Sequence, residues 1–584
     1  MLLMTSLYYH IVWFIPLFSI FMLSFVFAIY VSYIDQSIYL SFNLFSLWNN
    51  EIRVSFLFDY ISLWFSTIIL LISSVIMIYA YFYIAPYRKS VYFLLLTNLF
   101  ILSILIVVNI TNLFFLMLGW DGLGLVSFFL IVYYQNQSSI TSGIFTVLMN
   151  RLGDRFFLVT IIIAFYFHSD LTIFRSILPS PYFLLFLILT FMTKSAIYPF
   201  SPWLPLAIAA PTPISALVHS STLVTAGLYL IMRFSYLLYS SYDLMKLLLI
   251  LSLFTSFYAG MNSIFEKDLK KLIALSTLRH LGFIGMAFSV GLLKLAFFHI
   301  LTHALFKSLL FITMGDIMIN LNHSQDIRYL SSGILYTPIS AMIMYVSILN
   351  LLGLPNLSGY FSKDLVLEII NYSNNSIVVI LVLFLNVFFT YYYTYQLFYF
   401  SFQPIKILPY QNFHSPMFVH TLLLFVMSLT TLFFGFYFIR NISMFLLLYP
   451  VPVINKIMPY LINRLIFIFI LLNTKLFCRN IPLLNYYFSN IIFLSNVILT
   501  LSSNLYYTLR FILVKTVETG LFNYIMNIYT SSVVLRLSNT LINLSILRPI
   551  KIVLFSSLFF LILIVLLLLN NIIYYIWLLL IIFL

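Results

Sequence analysis

The chain has 584 residues, of which 63% are hydrophobic and only 7% are charged, and its formal net charge is +14. Soluble globular chains carry about 25% charged residues, so most of this surface must face lipid. The basic residues stand mostly between apolar runs, which is typical of membrane loops and not of a nucleic-acid-binding protein. Cys478 is the only cysteine, so the chain cannot hold an iron–sulfur cluster, which takes about four thiolates. It also lacks nucleotide-binding motifs, so no cofactor is expected.

Apolar runs recur along nearly the whole chain. A spanning helix takes about 20 apolar residues, and the sequence therefore predicts an all-α polytopic membrane protein with about fifteen transmembrane helices. A further apolar run at 461–477 either spans the membrane or lies in its interface. The spans are predicted near residues 8–33, 57–83, 91–110, 112–133, 143–167, 181–199, 212–235, 243–262, 270–290, 292–319, 337–370, 375–400, 416–439, 484–507 and 551–570.

Two stretches interrupt this pattern and cannot be continuous helix. Residues 198–213 contain five prolines, and proline both removes a helical hydrogen bond and clashes with the preceding turn. The sequence Gly353-Leu354-Pro355-Asn356 interrupts the run at 337–370 in the same way. Broken helices at corresponding places in two halves of a chain are typical of inverted repeats around an ion site. The sequence thus predicts two inverted-repeat halves.

The C-terminal part has a different pattern. Residues 508–550 interleave apolar and polar positions without a 20-residue apolar core, which predicts a lateral amphipathic helix. The predicted organisation, in chain order, is a transmembrane helix with a connecting segment at 1–56, a core at 57–400, additional transmembrane helices at 401–507, the lateral helix at 508–550 and a transmembrane anchor at 551–584.

Ionisable side chains fall inside several apolar runs, where each is costly unless paired or hydrated. Asp121 lies beside three glycines that let a neighbouring helix approach closely, and Arg151 and Asp154 are spaced to pair on one helix face. Lys194 precedes the five prolines, and His219 lies on the next helix. Each has a structural alternative: an ion pair, helix packing or, for Lys194, snorkelling to the interface.

A second group of ionisable residues follows. His299, His303 and Lys307 have the spacing i, i+4, i+8, so they share one helix face over about 12 Å. Two such histidines could bind a metal, but Lys307 would repel a cation, and no metal site is expected. Lys363 begins a final cluster just beyond the second break. This succession of acids, lysines and histidines predicts a path for protons. The remaining members of the cluster are Asp364 and Glu368.

These segments resemble the antiporter-like subunits of respiratory NADH:ubiquinone oxidoreductase. The resemblance runs from about Leu57 to about Phe400, and the amphipathic tail is similar to that of the distal, largest member of the group in its mitochondrial form. The matching segments are Gly119-Trp-Asp-Gly-Leu-Gly-Leu125, Asn150-Arg-Leu-Gly-Asp154, the stretch from Lys194 through Pro213 to Gly227, His299-Ile-Leu-Thr-His-Ala-Leu-Phe-Lys307 and Gly359-Tyr-Phe-Ser-Lys-Asp364.

The chain also departs from the family pattern. Arg279 and His280 stand where the family has Ser-Gln, and Ile319 replaces a common histidine. Asp316 is a new acid nearby. One predicted helix precedes Leu57, where the family has two.

The resemblance implies roles for the buried charges. Asp121 would pair with Lys194, Lys307 would be the central relay lysine, and Lys363 would face the exit. The histidines at 219, 299 and 303 would lie between them. Arg151, Asp154, Asp364 and Glu368 would support this proton relay.

The resemblance also implies a function. The chain would be a multi-pass, proton-translocating membrane-arm subunit of a mitochondrial inner-membrane enzyme, with no redox centre of its own. Its partners would be the adjacent antiporter-like subunits and membrane lipids, while other subunits would bind NADH and ubiquinone. The alternatives are a sister subunit of the same complex, a subunit of a multi-subunit cation/proton antiporter, and a membrane scaffold whose buried charges are only ion pairs.

Overall fold

The computed structural model describes residues 2–47, 50–84, 90–167, 180–321, 323–331, 334, 337–354, 357–373, 377–402 and 418–446. The predicted segments at 461–477, 484–507, 508–550 and 551–584 lie outside the described residues. Nine helices in the described ranges are long and apolar enough to cross a membrane. The predicted helical membrane fold is therefore confirmed in these ranges, while the total of about fifteen spans stays a prediction.

The N-terminal region contains a β-hairpin that the all-α prediction missed. After helix α1 (Leu2–Ile34), strands β1 (Ile38–Leu47) and β2 (Asn50–Phe58) pair in antiparallel register. In β2 the polar residues Glu51, Arg53 and Ser55 alternate with apolar ones, which is the period-two pattern of a half-buried strand. Within the predicted region at 1–56, the connecting segment after the helix is therefore sheet, and the prediction of a wholly helical chain was wrong here.

Four long helices follow the hairpin: α2 (Tyr60–Ile84), α3 (Ser90–Asn109), α4 (Leu113–Ile131) and α5 (Gln137–Phe167). Asn112 begins α4 by accepting a hydrogen bond from the Phe114 amide, and its side-chain amide donates to the Arg53 carbonyl of β2 (2.8 Å). This cap stabilises the start of the helix and ties it to the hairpin. The exposed face of α3 is a stripe of large apolar side chains suited to lipid, formed by Leu95, Leu99, Leu102 and Ile106.

The five-proline stretch does break the helix that enters it. Helix α6 (Pro181–Lys194) ends before the prolines, and Ala196 adopts a left-handed conformation. A short helix, α7 (Trp203–Ala207), lies within the break. Helix α8 (Thr212–Arg233) then resumes the span, and its residues Ser215–Thr222 form a π-helix. Such π segments are rare and frequent at functional sites.

The middle of the described core is built from α9 (Tyr242–Phe265), α10 (Leu269–Ser289) and α11 (Leu293–Asn320). The spanning windows of α8 and α11 are buried throughout. Helix α11 packs against α2, α10 and the π segment of α8. The helices that carry most of the predicted histidines and lysines are thus enclosed by the rest of the chain and not exposed to lipid.

The second predicted break is also present. Helix α12 (Pro338–Leu352) ends at Gly353, whose φ of +76° favours glycine. A π-helix, Tyr360–Asp364, begins the returning segment and leads into α13 (Leu365–Ser373). Helices α14 (Ile377–Phe402) and α15 (Phe418–Leu446) complete the described fold. The twofold relation between the halves stays a prediction.

Candidate functional site

Lys194 is held at the end of α6 by its main-chain and aromatic surroundings. Its Nζ donates to the Trp120 carbonyl at 2.5 Å and lies 4.2 Å from the centroid of the Trp120 ring. The side chain is fully buried, so it does not snorkel to an interface. The Trp203 indole, which lies within the five-proline break, donates to the Thr193 carbonyl (2.9 Å) and fixes the end of α6.

Two carboxylates act on Lys194 without a direct contact. No ion pair within 4.0 Å joins Asp121 to Lys194 among the residues that the structure describes. The ammonium is attracted by the carboxylates of both Asp154, which is buried, and Asp121, which is half-buried. The predicted pair of Arg151 and Asp154 does form, at 3.5 Å. Asp154 thus interacts with two cations, Arg151 and Lys194. From the sequence, the local pair with Arg151 was the structural alternative to a role in the site.

Glycines bring the helices around Lys194 close together, as the sequence predicts. A Cβ on Gly119 would lie 2.8 Å from the side chain of Ile106 in α3. A Cβ on Gly153 would collide with the Thr193 hydroxyl of α6. Because both positions lack a side chain, α4 can approach α3 and α5 can approach α6.

His219 lies in the π segment of α8 and is buried. Its ring centroid is 6.3 Å from that of Trp203 in the five-proline break. The π segment also packs against α11. His219 is therefore placed between the helix break beside Lys194 and the helix that carries the next histidines.

A third histidine joins His299 and His303 of α11 in the structure, and we call these histidines, together with Lys307 and Lys363, the row. The rings of His299 and His303 are 6.2 Å apart, which confirms that they share one face. His280 of α10 lies 5.5 Å from the first ring and 5.4 Å from the second. Its Nδ1 is 3.3 Å from His299 Nε2. The sequence marked His280 only as a departure from the family, since nothing local shows which helix faces α11.

His299 also connects to the second helix break. Its Nδ1 is 3.0 Å from the Ser362 hydroxyl, which lies in the π-helix that follows Gly359. The hydroxyl of Thr302 donates to the same Ser362 oxygen at 3.0 Å. Both nitrogens of the His299 ring are thus engaged, one on each side, as a ring that relays a proton requires.

Lys307 is buried one turn beyond His303. Its Nζ donates to the Ser276 hydroxyl at 2.5 Å and lies 5.7 Å from the centroid of the Tyr393 ring. The guanidinium of Arg279 stacks over the same ring, at 4.7 Å from its centroid. No carboxylate lies within ion-pair distance of either cation in the described ranges. Lys307 and Arg279 thus share one aromatic ring and, within the described ranges, have no carboxylate partner.

Lys363 lies at the far end of the row, in the second π segment. Its Nζ donates to the Leu351 carbonyl (3.2 Å) and to the Thr390 hydroxyl (3.3 Å). Asp364 lies against Gly353, where an added Cβ would be 3.0 Å from a carboxylate oxygen. Glu368 is buried one turn further on. The predicted terminal cluster is therefore assembled around the second break.

That no metal ion binds this chain stays a prediction. No group of three His, Cys, Asp or Glu side chains within the described ranges could hold a metal ion. What the buried groups share is the capacity to hold and exchange protons. That no cofactor binds this chain stays a prediction.

Solved structures with the same fold define the class of membrane protein. The Mrp complex from Dietzia sp. DQ12-45-1b contains a chain that matches with a TM-score of 0.64 at 22% identity, over 79% of this chain and 53% of that one. The membrane-bound sulfane sulfur reductase, an archaeal respiratory membrane complex, matches with a TM-score of 0.64 at 18% identity, over 75% of this chain and 93% of that one. The chain thus shares its fold with membrane-spanning chains of these two complexes.

Sequence relatives narrow this class to one family. Residues 110–390 match the family described as NADH:quinone oxidoreductase/Mrp antiporter, TM. Chain 5 of NADH-ubiquinone oxidoreductase from Locusta migratoria is 42% identical over 65% of this chain and 67% of its own length. The Anopheles quadrimaculatus protein is 44% identical over 60% and 62%, and that of Anopheles arabiensis 43% identical over 60% and 92%. The chain belongs to the NADH-ubiquinone oxidoreductase chain 5 family, as the sequence motifs predict.

Proposed function

We propose that this chain translocates protons in the membrane arm of mitochondrial NADH:ubiquinone oxidoreductase. The observation that carries the proposal is the succession of buried protonatable groups from Lys194 to Lys363 on neighbouring segments of the chain. The complex would sit in the mitochondrial inner membrane, where other subunits oxidise NADH and reduce ubiquinone. The adjacent antiporter-like subunits and lipids would be its neighbours.

The first half of the relay would load a proton on Lys194. The Trp120 carbonyl and ring hold the ammonium in place, and the charges of Asp154 and Asp121 strengthen its hold on the proton. A change that moves or neutralises those carboxylates would release the proton towards His219. Gly119 packs against α3 and Gly153 against α6. Because these contacts are close, a small shift of either helix would change the distance between the carboxylates and Lys194.

The second half would pass protons between imidazoles. His299 faces Ser362 through Nδ1 and His280 through Nε2, so a proton arriving on one nitrogen can leave from the other. Both ring nitrogens of His303 are buried without a hydrogen-bond partner among the described residues. Since buried polar groups are normally satisfied, bridging waters would complete the path from His303 to Lys307.

Lys307 is the decisive residue for a test. Moving a proton against about 100 mV costs about 2.3 kcal/mol, so the path needs a proton-holding site at each gap. Lys307→Met keeps the length and the apolar stem but removes that site. We expect assembly to be intact, proton pumping to be lost, and quinone reduction to slow where the two are tightly coupled. Native gels and pumping in resealed vesicles measure both.

The matched control is Lys246→Met, because Lys246 is an exposed lysine on α9 that stacks on Tyr242. It should leave assembly and pumping unchanged. Normal pumping in a fully assembled complex with Lys307→Met would show that this lysine only packs, and the proposed relay would then fail.

The second candidate is a subunit of a cation/proton antiporter. The fold likeness to the Mrp complex and the joint description of the matching family favour it as the alternative. Purification separates the two: co-purification with flavin and iron–sulfur subunits supports the respiratory complex. Sodium-driven proton exchange in vesicles without NADH, from a complex lacking those subunits, supports the antiporter.

A further inference from the structure

A buried carboxylate and a buried histidine form a pair that lies outside the row of lysines and histidines. Asp316 of α11 and His420 of α15 are both buried, and His420 Nε2 lies 3.0 Å and 3.1 Å from the two carboxylate oxygens. An ionised carboxylate only accepts, so in the ion-paired form the hydrogen of this contact resides on Nε2. The ring is stacked on Tyr79 (centroids 5.6 Å apart) and tilted against Phe82 (5.3 Å) of α2.

The opposite nitrogen of His420 is where a proton can be exchanged. Nδ1 is buried and has no hydrogen-bond partner among the described residues. When Nδ1 binds a proton, the imidazolium charge is balanced by the Asp316 carboxylate. When Nδ1 releases the proton, the Nε2 bond to Asp316 is kept and the ring returns to neutral. The pair therefore has two states that differ by one proton, and the aromatic walls keep the ring in one orientation in both.

On α11, Asp316 of the pair lies between Lys307 and the C-terminal end of the helix. Asp316 is nine residues beyond Lys307 on the same helix, which corresponds to about 13 Å, and the helix ends at Asn320. Past that end, the exposed His323 lies edge-on to Tyr83 (5.4 Å), and Tyr83 lies 5.9 Å from Tyr79. Aromatic and imidazole side chains thus connect the pair to the surface of the described chain.

A second connection runs from the pair to the first helix break. The Tyr79 hydroxyl is hydrogen-bonded to the Thr212 hydroxyl (2.8 Å), and Thr212 begins the helix that carries His219. Gly315, next to Asp316, makes room for this contact, because a side chain there would collide with the Tyr79 hydroxyl. Contacts therefore lead from the pair both to the surface near His323 and to the helix that carries His219.

We propose that Asp316 and His420 form an additional proton-holding site, at which protons enter or leave the row between Lys307 and the surface near His323. The inference rests on the proposed proton translocation and adds a branch to it. A purely structural ion pair would not require the free Nδ1 or the polar contacts that lead away on both sides.

The experiment compares three variants in the assembled complex. Asp316→Asn and His420→Gln each remove the proton-holding capacity of one partner, and we expect pumping to fall at least about tenfold, as for a missing proton-transfer group. The double variant Asp316→Leu/His420→Leu replaces the pair by apolar side chains, which often preserves stability. It should assemble normally on native gels and still fail to pump.

His10→Gln is the matched control. His10 is a buried histidine on the other side of α2, where its Nδ1 is 2.8 Å from the Met77 carbonyl, and its replacement should leave pumping unchanged. Normal pumping by the assembled double leucine variant would overturn the inference. If Lys307→Met still abolishes pumping in parallel, only the branch fails. If Lys307→Met pumps normally, the proposed function itself fails.

Discussion

The family motif implies one carboxylate for Lys194, but two act on it in the structure. The motif implies Asp121, which is half-buried, whereas Asp154 is buried and also contacts Arg151. Arg151 is half-exposed, so it competes weakly for that carboxylate. We therefore expect Asp154 to act on Lys194 as well as to form half of a local ion pair.

The relative effect of the two carboxylates on proton pumping can be measured directly. We expect Asp154→Asn to slow proton pumping by roughly tenfold and Asp121→Asn by less, because the buried carboxylate of Asp154 is screened less by solvent and its removal weakens the hold of Lys194 on its proton more. Pumping in resealed vesicles, normalised to assembled complex, is the measurement. A larger loss for Asp121→Asn would show that a neighbouring subunit, and not this chain alone, sets the order.

Glu266 offers a pH-dependent test outside the membrane spans. It follows the end of α9, and burial raises the pKa of its carboxyl to about 7, with a further rise from Asp268 and an opposing effect from Lys271. In the unfolded chain the pKa returns to 4.5, so the unfolded state loses its proton first. The contribution of Glu266 to stability is therefore fully present below pH 4.5 and falls as the pH rises to about 7.

Glu266→Gln should remove this dependence. We expect the thermal transition of the complex to fall less between about pH 5 and about pH 7 in the variant than in the natural protein. Thermal scans of both complexes in matched buffers provide the comparison. Equal slopes in the two proteins would mean that Glu266 is solvated in the complex.

Helix α8 depends on a close approach that only glycine allows. A Cβ on Gly227 would lie 2.6 Å from the Phe191 carbonyl oxygen and 3.0 Å from the Ser195 amide of the α6 end. These are backbone atoms and cannot rotate away, so Gly227→Ala should cost about 1–3 kcal/mol. We expect less assembled complex on native gels. Gly124→Ala is the control, since its Cβ would meet no atom nearer than 3.9 Å.

The predictions of helices and helix breaks were correct where they used a local sequence pattern, and the hairpin was missed because its local pattern was overlooked. The boundaries of the described helices lie close to the predicted runs, and both helix breaks are present because proline and glycine act on their own backbone. The hairpin at Ile38–Phe58 was missed although its alternation is visible, because the search was for long apolar runs. The π segments at Ser215–Thr222 and Tyr360–Asp364 carry no such pattern.

The C-terminal segment at 508–550 is predicted to act at the scale of the whole complex. We predict a helix that lies along the membrane and contacts other subunits, because its polar residues form a sparse stripe without an apolar core. Cross-linking with mass spectrometry should join Lys515 to other membrane-arm subunits. Lys246, on the exposed face of α9, is the comparison. Cross-links from Lys515 only to this chain would contradict the prediction.

The sequence by itself determined that the chain crosses a membrane and where its helices break, because apolar length and proline act locally, and its buried charges predict which side chains exchange protons. The tertiary structure decided which partners those side chains meet. It brought His280 against both His299 and His303, gave Lys194 the Trp120 carbonyl, and joined Asp316 to His420 across about a hundred residues of chain. The physical reason is that helices in lipid associate by close packing and polar contacts, which no single helix records.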